Sequence, residues 1–189
     1  MKPLQSYFIK MSAMNYFEFY NLPISFKVDE PALKKTFYAN SKKYHPDFHT
    51  LESTEKQDEI LEISTLNNQA YKTLSDFDKR MKYVLDLKGT MGAEGENKLP
   101  QDFLMEMMDI NEAIMELEMD FDEKVYIKAE NDVQTIENQL LSDVKQIVEN
   151  YDDATTPQYQ LEEIKKFYLK KRYLLRIREN LSKFASLFK

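Results

Sequence analysis

Apolar residues recur at spacings of three and four along most of the chain, which is the pattern of helices that bury one face. One clear example spans residues 55–74, and the last third of the chain carries two longer ones, at 121–151 and 159–188. This periodicity predicts an all-α protein. The three apolar stripes are Ile60, Ile63, Leu66, Ala70 and Leu74; Val133, Ile136, Leu140, Val144, Ile147 and Tyr151; and Ile164, Phe167, Leu174, Leu181, Ala185 and Phe188.

Shorter helices are predicted in the first half of the chain. The aromatic segment 15–22 is expected to form one or two turns. A second helix begins after Asp29, whose side chain suits the N-cap position, and runs to Tyr44. A third begins after Ser75 or Asp76 and carries apolar residues on one face.

The predicted helix at 29–44 has two unlike faces. Leu33, Phe37 and Tyr44 share one side at spacings of four and seven, which is typical of a core face. The opposite side is positive, and by default such a surface is simply solvated. Its lysines are Lys34, Lys35, Lys42 and Lys43.

The segment His45-Pro46-Asp47 follows this helix directly. Proline disfavours the α conformation in the residue before it, so His45 is pushed out of the helix and Asp47 projects from a stiffened loop. The helix at 55–74 is then expected to fold back against the first, giving an antiparallel hairpin. The tripeptide alone is weak evidence of function, because it arises easily by chance.

The helix predicted at 101–118 has more apolar residues than one buried stripe can use. Its core face is formed by Phe103, Met107, Ile110, Ile114 and Leu117. The residues elsewhere on its surface indicate an adaptable protein-binding face, although a helix buried on two sides is an alternative. Insertion into a membrane is disfavoured because the polar positions are acidic. The outward residues are Leu104, Met105, Met108 and Met115, with Asp109, Glu112 and Glu116.

Composition and charge divide the chain. All 3 glycines lie between residues 88 and 100, which predicts a linker. We therefore expect a loose leader at 1–13, one domain at 14–88, a linker at 89–100 and a three-helix bundle at 101–189. Residues 89–156 carry 4 Lys or Arg against 18 Asp or Glu, whereas residues 157–189 carry 9 against 3. The basic last helix is thus expected to lie alongside the acidic segment before it.

Several classes of function are disfavoured. A net charge of −7 argues against nucleic acid as the main partner, and no apolar window is long enough to cross a membrane. The absence of cysteine excludes thiolate chemistry and fits a cytoplasmic protein. His45 and His49 lie four residues apart, but Pro46 interrupts any helix between them and no third ligand set completes a metal site. We expect no catalytic residues, no metal and no cofactor.

Residues 15–88 resemble a J-domain. Four features carry the resemblance, in order: Asn15-Tyr16-Phe17-Glu18, Lys42-Lys43-Tyr44-His45-Pro46-Asp47, Asn67-Asn68-Gln69-Ala70-Tyr71-Lys72-Thr73-Leu74, and Lys79-Arg80 with Tyr83. Many J-domains follow the aspartate with a basic residue, whereas this chain has Phe48. The resemblance implies that the loop and the basic helix bind a DnaK-type chaperone and stimulate its ATP hydrolysis. The chaperone-binding residues would be His45, Pro46, Asp47, Lys34, Lys35, Lys42 and Lys43.

The remainder resembles the HscB family, J-domain co-chaperones of iron–sulfur cluster assembly. Phe103-Leu104-Met105-Glu106, followed by an acid-rich helix, and Lys171-Arg172-Tyr173-Leu174 carry this resemblance. It implies a DnaK/HscA-type chaperone and the IscU cluster scaffold as partners. The scaffold-binding residues would be Leu104, Met105, Met108, Asp109, Glu112, Glu116 and Tyr173.

Two other functions remain open at this point. The first is a J-domain co-chaperone whose bundle holds an unrelated client. The second is a helical assembly protein in which His45-Pro46-Asp47 is accidental.

Overall fold

The computed structural model describes residues 14–93 and 95–185. Within these ranges all regular secondary structure is helical and there is no strand, which confirms the all-α prediction. A 3₁₀ helix at Pro46–Phe48 lies between α2 and α3. The α-helices are α1 (Tyr16–Phe19), α2 (Glu30–Lys43), α3 (Thr54–Leu74), α4 (Phe77–Leu87), α5 (Gln101–Met119), α6 (Glu123–Glu149) and α7 (Gln158–Ser182).

The contacts within the chain define two compact units. Among the described residues, one unit runs up to Val84 and includes Asp152–Thr155, and the other contains residues 85–151 and 156–185. The boundaries at residues 88 and 100 expected from the sequence stay predictions.

Local capping sets the start of each helix in the first unit. The Asn15 side chain accepts a hydrogen bond from the Glu18 backbone, and the Glu18 carboxylate accepts one from the Asn15 backbone, which forms a capping box. Asp29 caps α2 through the Ala32 backbone N–H, and Asp76 accepts from the Lys79 backbone N–H at the start of α4. The Asp29 cap is as the sequence predicts, and Asp76 is the one of the two residues left open for the start of α4 that accepts this hydrogen bond.

The hairpin of α2 and α3 is closed by aromatic and apolar packing. Phe37 stacks on Tyr71 with 4.1 Å between ring centroids, and Leu33 and Ile60 are buried. At the base, Arg80 is also buried and donates hydrogen bonds to the backbone carbonyls of Phe26 and Leu74. Burial lowers the pKa of Arg80, yet the guanidinium stays charged because its ordinary pKa lies far above neutrality. This charged group ties α4 to the end of α3.

The second unit is a three-helix bundle. Residues early in α6, such as Ala129 and Val133, pack against residues late in α7, such as Leu174 and Ile177, so the two helices are antiparallel. The five residues predicted for the core face of α5 are all buried against this pair.

An ion-pair network joins the basic α7 to the acidic α6, as the charge distribution predicts. Arg178 binds Glu137 through two hydrogen bonds of 2.8 and 2.7 Å, and reaches Glu130 at 3.2 Å and Gln134 at 2.8 Å. The hydrogen bonds to Glu137 raise the pKa of Arg178 despite its partial burial. A bidentate pair of this kind fixes the relative position of the two helices more firmly than a single contact does.

The predicted last helix is too long at its end. α7 ends at Ser182, and a turn follows in which Ala185 is exposed rather than part of the core seam. Phe184 is buried in its place. Phe188, which the prediction also placed in the seam, lies outside the described residues, as does the leader at 1–13.

Candidate functional sites

The His45-Pro46-Asp47 segment forms a fixed, exposed loop at one end of the α2–α3 hairpin. α2 ends at Lys43, two residues before His45, and Pro46 begins a single turn of 3₁₀ helix. The His45 Nδ1 accepts a hydrogen bond from the Asp47 backbone N–H at 3.3 Å and lies 3.8 Å from the Asp47 carboxylate. Asp47 therefore points to solvent from a turn that is formed by His45 and Pro46.

Side chains outside the tripeptide hold this loop from both helices. His49 donates through Nε2 to the carbonyl oxygen of Lys43 at 2.9 Å, which ties the loop to the end of α2. Gln57 donates to the carbonyl oxygens of Thr50 at 3.1 Å and Glu52 at 2.9 Å, which ties it to α3. His49 and Gln57 thus hold the loop from both sides.

The four lysines proposed from the sequence are all exposed on α2, opposite the buried Leu33. Behind them lies a buried hydrogen-bond centre at Asn67 of α3. Its side-chain amide donates to the Phe37 carbonyl oxygen at 3.2 Å and to the Ser41 hydroxyl at 3.0 Å. Its side-chain oxygen accepts from Tyr20 at 2.9 Å and from Asn40 at 3.3 Å. Asn67 therefore fixes the register of α2, and with it the lysine surface, against α3.

The outward face of α5 is exposed, as helical geometry predicts, so the alternative of a helix buried on two sides is wrong. Leu104, Met105 and Met108 are solvent-accessible, and Asp109, Glu112 and Glu116 flank them. Unpaired apolar surface of this kind on a folded unit commonly marks a binding site.

Tyr173 of α7 lies at the edge of this face. Its hydroxyl accepts a hydrogen bond from the Asn111 side chain at 3.0 Å, and its ring meets the Phe103 ring edge-on at 5.8 Å. Asn111 also donates to the Met107 carbonyl oxygen. The structure therefore brings Tyr173, 62 residues away in sequence, beside the predicted residues of α5.

On its other side, the outward face of α5 borders a groove of about 310 Å³ shared with α6. Lys128 of α6 pairs with Asp132 at 2.7 Å, and this hydrogen bond raises the pKa of the Lys128 amine. Lys128 is the one basic residue of the lining, whereas four of the other lining residues are acidic and the rest are apolar. The lining residues are Asp109, Ile110, Glu112, Ala113 and Glu116 from α5, and Val125, Lys128, Ala129 and Asp132 from α6.

Sequence reasoning missed several residues of these surfaces. Asn67 and Asn111 act through long-range hydrogen bonds that helical spacing does not reveal. Leu51, four residues after Asp47, is fully exposed, and its position in the loop is the only signal that the sequence offers for it. Met119 is exposed one turn beyond Met115, and this spacing of four is the signal that the sequence offers for it.

Across residues 14–93 and 95–185, no group of three or more His, Asp or Glu side chains is arranged to hold a metal ion. Over the same ranges, no helix combines the length and apolarity needed to span a bilayer.

A helical hairpin that presents an exposed His-Pro-Asp loop, in a chain that also contains a helical bundle, defines a J-domain protein. Residues 15–83 match the DnaJ domain family, and residues 99–182 match the family described as the HSCB C-terminal oligomerisation domain. The chain belongs to the HscB family of J-domain co-chaperones.

Relatives by sequence support this assignment. The chain is 33% identical over 114 residues to a co-chaperone protein HscB homolog of Psychromonas ingrahamii, covering 59% of this chain and 67% of that protein. It is 38% identical over 103 residues to an HscB homolog of Vibrio cholerae, covering 53% of this chain and 60% of the relative's length.

Solved structures agree in fold. The human co-chaperone protein HscB superposes with a TM-score of 0.70 at 29% identity, covering 89% of this chain and 81% of that one. The chaperone HscB from Vibrio cholerae superposes with a TM-score of 0.69 over 93% of this chain and 100% of its own, and at 22% identity it indicates the fold alone.

Proposed function

We propose that this chain is an adaptor that binds two proteins at once. Its first unit binds a DnaK/HscA-type chaperone and stimulates ATP hydrolysis by that chaperone. Its bundle holds an IscU-type iron–sulfur cluster scaffold protein and delivers it. The observation that carries the proposal is the exposed, doubly anchored His45-Pro46-Asp47 loop beside the lysine surface of α2. In this proposal the chain supplies no catalytic residue of its own.

The chaperone-binding end combines attraction with a specific contact. Lys34, Lys35, Lys42 and Lys43 would steer the first unit towards an acidic chaperone surface, which speeds association and makes it sensitive to salt. Asp47 would then offer a charged acceptor from a loop that already has its bound shape, so little conformational entropy is lost on binding.

The scaffold-binding end rests on apolar contact with acidic flanks. Leu104, Met105 and Met108 would bury their exposed surface against the scaffold, and methionine side chains adapt readily to a partner's shape. Asp109, Glu112 and Glu116 would pair with basic groups of the scaffold, and Tyr173 would border the contact. Holding client and chaperone through one chain raises their effective concentration to the millimolar range expected of short tethers, about 1 mM.

The lysine surface gives a first test. The double variant Lys35→Gln with Lys42→Gln loses two positive charges. It should need about five times more co-chaperone for half-maximal ATPase stimulation at low salt, because the electrostatic attraction that speeds association with the chaperone is weaker. The maximal stimulated rate should change little, because the loop is intact. The assay is steady-state phosphate release by a DnaK-type chaperone at several salt concentrations. Lys72→Gln, an exposed lysine of α3, is the matched control, and an equal effect there would contradict the role of the α2 surface.

The outward face of α5 gives a second test. Leu104→Ala, Met108→Ala should weaken scaffold binding by about 30-fold, or roughly 2 kcal/mol, because two contact side chains are truncated at the centre of the interface. Titration calorimetry with a purified IscU-type scaffold measures this. Both side chains are exposed, so thermal stability should be unchanged. Wild-type protein that stimulates the chaperone but fails to bind the scaffold would instead favour a co-chaperone with an unrelated client.

A further inference from the structure

The exposed apolar surface of α5 continues well beyond the residues assigned to scaffold binding. Met115 and Met119 are 64% and 90% exposed, compared with 41% for Leu104 and 56% for Met108. At about 100° per residue, these four side chains fall within an arc of roughly 60°. They form one straight stripe along the helix, which we call the α5 stripe: Leu104, Met108, Met115 and Met119.

Tyr173 lies beside the middle of this stripe, where the stripe is interrupted by a polar residue. Between Met108 and Met115 the neighbouring position on the helix is Asn111, whose amide donates to the Tyr173 hydroxyl at 3.0 Å. The aromatic ring from α7 therefore borders the stripe where α5 has no apolar side chain of its own. From Leu104 to Met119 the surface extends about 22 Å, or four helical turns.

The charge around the stripe indicates what covers it. α5 contains six acidic residues and no lysine or arginine, so a second copy of α5 packed on the stripe would bring like charges together. The groove beside α5 adds Asp132 from α6 to Asp109, Glu112 and Glu116, against the single amine of Lys128. A partner with lysine or arginine beside an apolar stripe would complement both features.

We propose that the α5 stripe binds an amphipathic, basic helix of the same scaffold protein that contacts Leu104 and Met108. A helix laid along a straight apolar ridge presents side chains at spacings of three, four and seven, which suits a contact four turns long. Its long basic side chains would reach the acidic groove between α5 and α6. This inference rests on the proposed function of the bundle, and it adds Met115, Met119 and Asp132 to the contact.

Two variants test the proposal by affinity. The double variant Met115→Ala with Met119→Ala should bind a purified IscU-type scaffold about tenfold more weakly in titration calorimetry, with no loss of helical content. Leu141→Ala removes a comparably exposed apolar side chain from α6 and is the matched control, expected to stay within about twofold. Asp132→Asn should weaken binding at low salt and lose that effect at high salt, whereas Asp143→Asn on the same helix should do neither.

The chain contains no cysteine, so a single introduced thiol labels one position. Met119→Cys carrying a photo-activated cross-linker should attach to a basic helical segment of the scaffold, and Leu141→Cys should not attach. Unchanged affinity in Met115→Ala, Met119→Ala, while Leu104→Ala, Met108→Ala loses binding, would overturn the inference and leave the proposed function intact. Cross-linking to a second copy of this chain would also overturn it. Failure of the wild-type chain to bind the scaffold would remove the proposed function of the bundle itself.

Discussion

Replacing Asp47 with asparagine is expected to abolish the stimulation of a DnaK-type chaperone's ATPase while the fold and scaffold binding remain. The Asp47 side chain is 82% exposed, and its carboxylate lies 3.8 Å from the His45 ring. Asparagine has nearly the same shape and keeps the backbone hydrogen bond that forms the turn. What it removes is the negative charge, and loss of a charge-assisted contact at a binding surface costs about 2 kcal/mol or more, which is a factor of roughly 30.

Steady-state phosphate release by the chaperone, measured as a function of co-chaperone concentration, reports this loss. The free energy of unfolding of Asp47→Asn should equal that of the wild-type protein within about 0.5 kcal/mol, because the substitution lies on the surface. Asp58→Asn, on the exposed side of α3, is the matched control and should stimulate normally. If Asp47→Asn keeps more than half of the wild-type stimulation, the loop does not act as proposed.

Replacing Asn67 with alanine is expected to cost about 3 kcal/mol of folding free energy in the first unit. The side chain is 1% exposed and makes hydrogen bonds to Tyr20, Phe37, Asn40 and Ser41. Each neutral hydrogen bond contributes about 1 kcal/mol net, and buried partners left without one lose more. The effect is large because α1, α2 and α3 all meet at this residue.

Urea unfolding monitored by circular dichroism measures this change. Asn68→Ala alters the neighbouring residue, which is exposed on the same helix, and should change stability by less than about 0.5 kcal/mol. A small loss in Asn67→Ala, below about 1 kcal/mol, would mean that α2 is held against α3 by apolar packing alone. Where the variant remains folded, we expect weaker ATPase stimulation, because the lysine surface would no longer be held in register with the loop.

Much of the architecture follows from short-range rules. The N-cap at Asp29, the apolar stripes of α3 and α6, and the two faces of α5 all depend on residues within a few positions of one another. Capping and 3.6-residue periodicity act over that range, so the sequence predicts them directly. The error at the end of α7 has the same origin, because periodicity alone does not locate a helix end that lacks a proline or glycine.

The positions of the two proposed binding sites also follow from short-range rules, whereas their roles do not. Pro46 alone predicts that His45-Pro46-Asp47 projects from the end of a lysine-bearing helix, since proline acts on its immediate neighbours. That α5 would expose Leu104 and Met108 followed from counting residues around one helix. The roles of these residues as binding sites came from resemblance and stay proposals.

Residue spacing and proline chemistry are therefore enough to predict that the helices form, that the His-Pro-Asp loop is exposed and that α5 has an outward face, because each depends on local geometry. The contacts that support these features are visible only in the folded chain. Asn67 meets Asn40 across 27 residues, Arg80 reaches the Phe26 carbonyl across 54, and Asn111 meets the Tyr173 hydroxyl across 62. Such contacts form only when helices pack at one particular register, and many registers are compatible with the same pattern of apolar and polar residues.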